Sequence, residues 1–95
     1  MKKNKEKAGA YIRVSGMVQG VAYRHYAREV AEQLGIKGCI KNLINGDVEL
    51  IVEGSQKAVK QMIEWCKEGP RLAIVENIEV DWLPYSGEFN RFYIR

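Results

Sequence analysis

The sequence predicts an α+β sandwich in which two helices cover one face of a mostly antiparallel sheet. Three observations predict it. Some segments alternate apolar and polar residues while others repeat apolar residues at helical spacing. The two kinds of segment follow one another in the order βαββαβ, with a short extra strand at the C-terminus. Asn45-Gly46, between two strand-like runs, marks a hairpin. That order is the split βαβ, or ferredoxin-like, arrangement.

Ala10, Ile12 and Val14 alternate with Tyr11 and Arg13, a half-buried strand. A Gly-bearing loop, Gly16–Gly20, follows. Tyr23, Ala27, Val30, Ala31 and Leu34 then recur at helical spacing, and Gly35 stands where a C-cap glycine belongs. Ile36–Leu43 reads as the second strand. Val48, Leu50 and Val52 alternate with Glu49, Ile51 and Glu53 on the return strand, which ends at Gly54. Ser55 suits an N-cap, and Val59, Met62, Ile63 and Cys66 form the apolar stripe of a second helix. Gly69-Pro70 stops it. Ile74, Ile78, Val80 and Trp82 predict a long strand, although Glu76 breaks the alternation. Pro84, Ser86 and Gly87 are turn residues, and Phe89–Arg95 reads as the short last strand.

Length and composition narrow the function classes. The 95 residues are enough for one domain, expected over 9–95, preceded by a flexible basic tail over 1–8. Hydrophobic content of 46% and charged content of 28% are those of a globular chain. No apolar run approaches the ~20 residues of a membrane span. No apolar stretch follows the Lys-rich start, so the expected location is the cytoplasm. The net charge of +3 favours anionic partners without the strong basic patch of a dedicated nucleic-acid binder. A monomer is expected. Cys39, Cys66 and the single His25 fit no CxxC or zinc spacing, so no metal site is expected. Cys39 shares a register with Lys37 and Lys41, on the open face of the sheet, whereas Cys66 lies on a buried helix stripe; the two are not expected to be bridged. Trp65 and Trp82 read as core or core-edge aromatics, and His25 as a surface residue.

The loop between the first strand and the first helix carries the chemistry. Val14-Ser15-Gly16-Met17-Val18-Gln19-Gly20-Val21-Ala22-Tyr23-Arg24 has the parts of an anion cradle. Glycines allow tight turning and close approach, and a helix N-terminus presents unpaired N–H groups. Arg24, in the first helical turn, offers a planar fork suited to two phosphate oxygens. Taken alone, such a loop often only connects two elements, and an Arg there is often a surface charge.

The run Val14-x-Gly16-x-Val18-Gln19-Gly20-Val21-x-Tyr23-Arg24 resembles the first signature of the acylphosphatases. Gly38-Cys39-Ile40-Lys41-Asn42, followed by Gly46-x-Val48 and Gly54, is similar to the second. Gly69-Pro70 and the closing Phe92-Tyr93-Ile94-Arg95 also look like family features, so the resemblance covers nearly the whole chain beyond the tail. Four positions depart from the pattern: Tyr23 stands for Phe or Met, Cys39 for an aromatic, Ile40 for a smaller residue and Asn45 for a common Asp.

The resemblance implies hydrolysis of acyl phosphates, small-molecule carboxyl–phosphate anhydrides, to a carboxylate and inorganic phosphate without metal or cofactor. It implies that Arg24 and the loop amides of Met17, Val18, Gln19, Gly20 and Val21 bind the phosphate. It implies that Asn42 orients the attacking water. The chemistry suits these groups, because phosphoryl transfer from a good leaving group needs positioning and charge stabilisation rather than a nucleophilic side chain. Read without the resemblance, Asn42 is a turn-flanking residue bonding its own backbone. The competing functions are a catalytically weak phosphate-binding domain and an RNA-binding module on the same fold. The latter needs aromatics on the central strands, and Val48–Val52 has none, so no nucleic-acid partner is expected.

Overall fold

The computed structural model describes residues 6–95. These form β1 (Lys7–Met17), α1 (Tyr23–Leu34), β2 (Lys37–Asn42), β3 (Val48–Ser55), α2 (Gln56–Glu68), β4 (Ile74–Leu83) and β5 (Phe92–Ile94). One sheet runs in the order β4-β1-β3-β2-β5. All its pairings are antiparallel except β2 with β5, which is parallel. The ferredoxin-like order and its extra strand are those expected.

The apolar rows of the strands and the stripes of the helices meet in one core. Ile12, Val14, Ile40, Leu50 and Val52 of the sheet are fully buried with Ala27, Ala31, Val59, Met62 and Cys66 of the helices. Burying each large side chain contributes roughly 1.5–3 kcal/mol. The helix ends follow their sequence signals. Gly35 closes α1 in a left-handed cap, with Ile36 N–H donating to the Ala31 carbonyl at 2.8 Å and Gly35 N–H to Glu32 at 3.2 Å. Ser55 Oγ accepts from Ala58 N–H at 3.1 Å and caps α2.

Several local expectations change. Strand β1 starts at Lys7, and Lys7 and Ala8 pair with Ser55 and Gly54. They belong to the sheet rather than to a tail; residues 1–5 of that expected tail lie outside the described residues. Strand β2 is shorter than Ile36–Leu43, because Ile36 is spent on the helix cap and Leu43 on the turn. Leu43 N–H donates to Asp47, and Gly46 N–H to Leu43. Only Gly46 of the turn has positive φ, at 100°. This is a three-residue hairpin loop with a glycine bulge, not a two-residue type I′ turn. In β4 the register steps from Ser15↔Asn77 to Gly16↔Val75, which leaves Glu76 without a partner. That bulge is why Glu76 interrupts the alternation.

Trp82 is 49% exposed, not a core-edge residue, because β4 is an edge strand with a neighbour on one side only. Cys39 is buried although it sits on the face opposite Ile40. Ile51 and Tyr93 flank it, and the Arg95 guanidinium lies 4.0 Å from its Sγ. Both thiols are free. Strand β5 is only Phe92–Ile94, and the segment before it is held by Glu53. That buried carboxylate accepts from Ser86 N–H at 2.8 Å, Ser86 Oγ at 2.7 Å and Gly87 N–H at 3.1 Å.

Tyr23 joins the two helices. Its hydroxyl donates to the Cys66 carbonyl at 2.8 Å, and its ring meets Trp65 edge-on at 5.2 Å. The hydroxyl explains why Tyr is accommodated where Phe or Met is common. Burial raises the Tyr23 hydroxyl above its ordinary value and pushes the Cys66 thiol up to about 12. Both groups have folded values above their unfolded ones. Their contribution to stability is therefore complete below pH 9.0, the thiol's ordinary value, and declines as pH rises toward about 12.

Tyr23→Phe is expected to lower the free energy of urea unfolding by about 1 kcal/mol, the net worth of one hydrogen bond. The wild type should lose roughly 2 kcal/mol from the thiol between neutral pH and about pH 10.5. Urea unfolding of Cys66→Ala at both pH values checks this. The variant should start less stable but decline less steeply, and an unchanged decline contradicts the assignment.

Candidate active site

The site begins where β1 leaves the sheet. At the bulge, Gly16 takes φ 123°, and a Cβ there would overlap the Ile74 carbonyl and sit 2.7 Å from Glu76 N. Only glycine fits so close an approach. The chain passes Met17, still paired with Ile74, and turns at Val18, which is buried in the core. Tyr23 is buried in turn. Between these two anchors Gly20 and Ala22 stand exposed, both with left-handed φ, 77° and 62°. The conformation of Ala22 costs a non-glycine residue about 1–2 kcal/mol.

A side chain fixes this loop against the hairpin. Gln19 Nε2 donates to the Leu43 carbonyl at 2.8 Å and to the Asp47 carbonyl at 2.9 Å. Arg13 Nε, 2.8 Å from Asp47 Oδ2, braces the same turn. The loop and the end of β2 are thereby held side by side.

Helix α1 starts without the usual partners. Ala22 provides no side-chain cap, and the first turn carries no acidic residue but holds Arg24 and His25. Among the described residues, none of the N–H groups from Val18 to Ala22 donates to another part of the chain. Positive dipole, unpaired donors and a guanidinium converge at one helix end, an arrangement that favours an anion.

Asn42 is the last residue of β2, opposite Val48. Its Oδ1 is buried and is the one such side-chain atom, among the described residues, with no hydrogen-bond partner. An orphaned buried acceptor costs about 1–3 kcal/mol. In a native protein such an atom is ordinarily met by a water or a bound group.

A cleft of about 220 Å³ brings these groups together. Arg24 and Asn42 both line it, with Val18, Gln19, Gly20, Ala22, Tyr23, His25 and Ile94. Of the loop residues expected to bind phosphate, Val18, Gln19 and Gly20 are at the cleft; Met17 and Val21 do not line it. Met17 is committed to β1, and Val21 faces the neighbouring groove. Two contributors escaped the sequence. His25 lines the cleft, with Nε2 3.2 Å from Glu29 Oε2. Strand β5 carries Ile94 to the cleft and sets the Arg95 main-chain oxygen 3.4 Å from Arg24 Nη1. Only the proximity of an Arg to a shared loop could have signalled the first, and nothing local signalled the second.

Chemically, the cleft can hold an oxyanion against Arg24 and the loop N–H groups, and a water against Asn42 Oδ1. Among the described residues no three His, Cys, Asp or Glu side chains gather as metal ligands do. No helix of the described residues is long and apolar enough to cross a membrane.

Known proteins share the whole of this frame. The acylphosphatase family model matches residues 10–94. An acylphosphatase of Pelotomaculum thermopropionicum is 43% identical over 88 residues, 93% of this chain and 96% of that protein. One of Anaeromyxobacter dehalogenans is 43% identical over 90 residues, 95% of this chain and 97% of that protein. The structure of an acylphosphatase from Coxiella burnetii superposes with a TM-score of 0.90 at 34% identity, covering 99% of this chain and 100% of that one. Because the match takes in both the turn that holds Arg24 and the strand that ends at Asn42, and not the sandwich alone, the chain belongs to the acylphosphatase family.

Proposed function

We propose that the protein hydrolyses acyl phosphates in the cleft shared by Arg24 and Asn42. The observation that carries this reading is the pairing of an anion-favouring helix N-terminus with a buried, unpartnered acceptor, Asn42 Oδ1. The first feature suits a phosphate. The second suits a water beside it. Family membership supplies the reaction class.

In this reading Arg24 and the main-chain N–H groups at the cleft, those of Val18, Gln19, Gly20 and Ala22, bind the non-bridging phosphate oxygens. Asn42 Oδ1 accepts a hydrogen bond from a water and aims its oxygen at phosphorus. A new P–O bond forms as the bond between phosphorus and the acyl oxygen breaks, and the electron pair leaves with the carboxylate. One proton of the water passes to a phosphate oxygen, so an acyl phosphate dianion and water give a carboxylate and dihydrogen phosphate. No strong general acid is needed, because a carboxylate is already a good leaving group. Charge stabilisation and alignment are the protein's contribution.

Hydrolysis of benzoyl phosphate measures this. Arg24→Ala removes a charge-assisted contact worth roughly 1.5–3 kcal/mol, and KM should rise as kcat falls. Asn42→Ala should bind inorganic phosphate nearly as the wild type does yet lose on the order of 10²-fold in kcat, by analogy with the loss of one transition-state hydrogen bond. If Asn42→Ala binds phosphate worse than Arg24→Ala, the two roles are wrongly assigned. Turnover is also expected to persist in EDTA, since a guanidinium and main-chain N–H groups supply the positive charge; loss of activity to the chelator contradicts that source of charge.

A further inference from the structure

A second concavity adjoins the cleft. It has a volume of about 860 Å³ and shares Gly20 and Ala22 with the cleft, but not Asn42. Its apolar walls come from Tyr26 and Val30 of α1, Trp65 of α2 and Leu72 of the α2–β4 connection. Two of these are large side chains left in solvent: Tyr26 is 46% and Leu72 71% exposed. From these observations we infer that this groove is the seat of the substrate's acyl group, and that it selects uncharged, bulky acyl groups, aromatic ones above all, over acetyl.

The inference rests on the reading of the cleft given above and follows from the geometry of displacement. Attacking and leaving oxygens lie roughly in line across phosphorus. With the water on Asn42, the acyl oxygen departs on the side of the phosphate away from Asn42. The groove adjoins the same loop and excludes Asn42. Its charged lining residues, Glu29 and Arg71, are one of each sign, so it offers no net charge to recruit an anionic acyl group. Tyr26 and Trp65 supply an aromatic lining against which an acyl ring can pack. Val21, which does not reach the cleft, lines this groove instead.

The test compares two substrates and one ligand that cannot turn over. Tyr26→Ala and Leu72→Ser alter exposed side chains, and so leave the core intact. For each, the ratio of kcat/KM for benzoyl phosphate to that for acetyl phosphate should fall on the order of tenfold, the scale of a lost apolar contact. Affinity for phenylphosphonate, measured by calorimetry, should fall in the same proportion relative to inorganic phosphate. A ratio that stays put in both variants, or two substrates that decline together, overturns the inference. A wild type that turns over neither substrate instead refutes the reading of the cleft; the phenylphosphonate arm then still decides whether the groove takes a ring.

Discussion

The two hydrogen bonds from Gln19 Nε2 to the Leu43 and Asp47 carbonyls are the constraint on which the rest of the site depends. They tie the turn after β1 to the hairpin between β2 and β3. Asn42 ends the strand that leads into that hairpin, and Arg24 lies in the first turn of the helix that follows the loop, where its Nη1 also reaches the Arg95 main-chain oxygen. The fold makes the contact possible, since β1 and β2 both flank β3 and so end near one another. The amide of one side chain, with the Arg13–Asp47 pair beside it, then spans the width between loop and hairpin. A loop held only by its flanking anchors, Val18 and Tyr23, would leave that width to thermal motion.

The second constraint is electrostatic. Helix α1 opens with Arg24 where its dipole is already positive, and it begins from a left-handed alanine. Each feature costs stability in the free protein. The surrounding frame absorbs that cost: Tyr23 is locked to Cys66 and Trp65, and the helix end at Gly35 is fully capped. Strain, unpaired donors and a guanidinium gathered at one helix end are an arrangement that favours an anion.

Much of this was legible in the sequence, and the reason is locality. Helix α1, its Gly35 cap, the Ser55 cap and the core rows all follow from spacing within a few residues. Features that depend on distant partners were not legible. Nothing near Gln19 says that its side chain spans to a hairpin 24 residues on. The exposure of Trp82 depends on which strand is left at the edge, and the burial of Cys39 on a tail that returns from Arg91–Arg95. Glu76 gave the bulge away only as an interrupted pattern. In the site, residue types alone pointed to an anion cradle at Arg24. That Asn42 lies beside it came from the family likeness, and its orphaned oxygen from the structure.

These threads meet in a single chemical claim, that water held by Asn42 attacks phosphorus and not the acyl carbon. Hydrolysis of benzoyl phosphate in water enriched in oxygen-18 tests it most directly. The account predicts that the label appears in inorganic phosphate, with benzoate unlabelled. Label in the benzoate would mean attack at the carbonyl, and would contradict the alignment assigned to Arg24, the loop and Asn42.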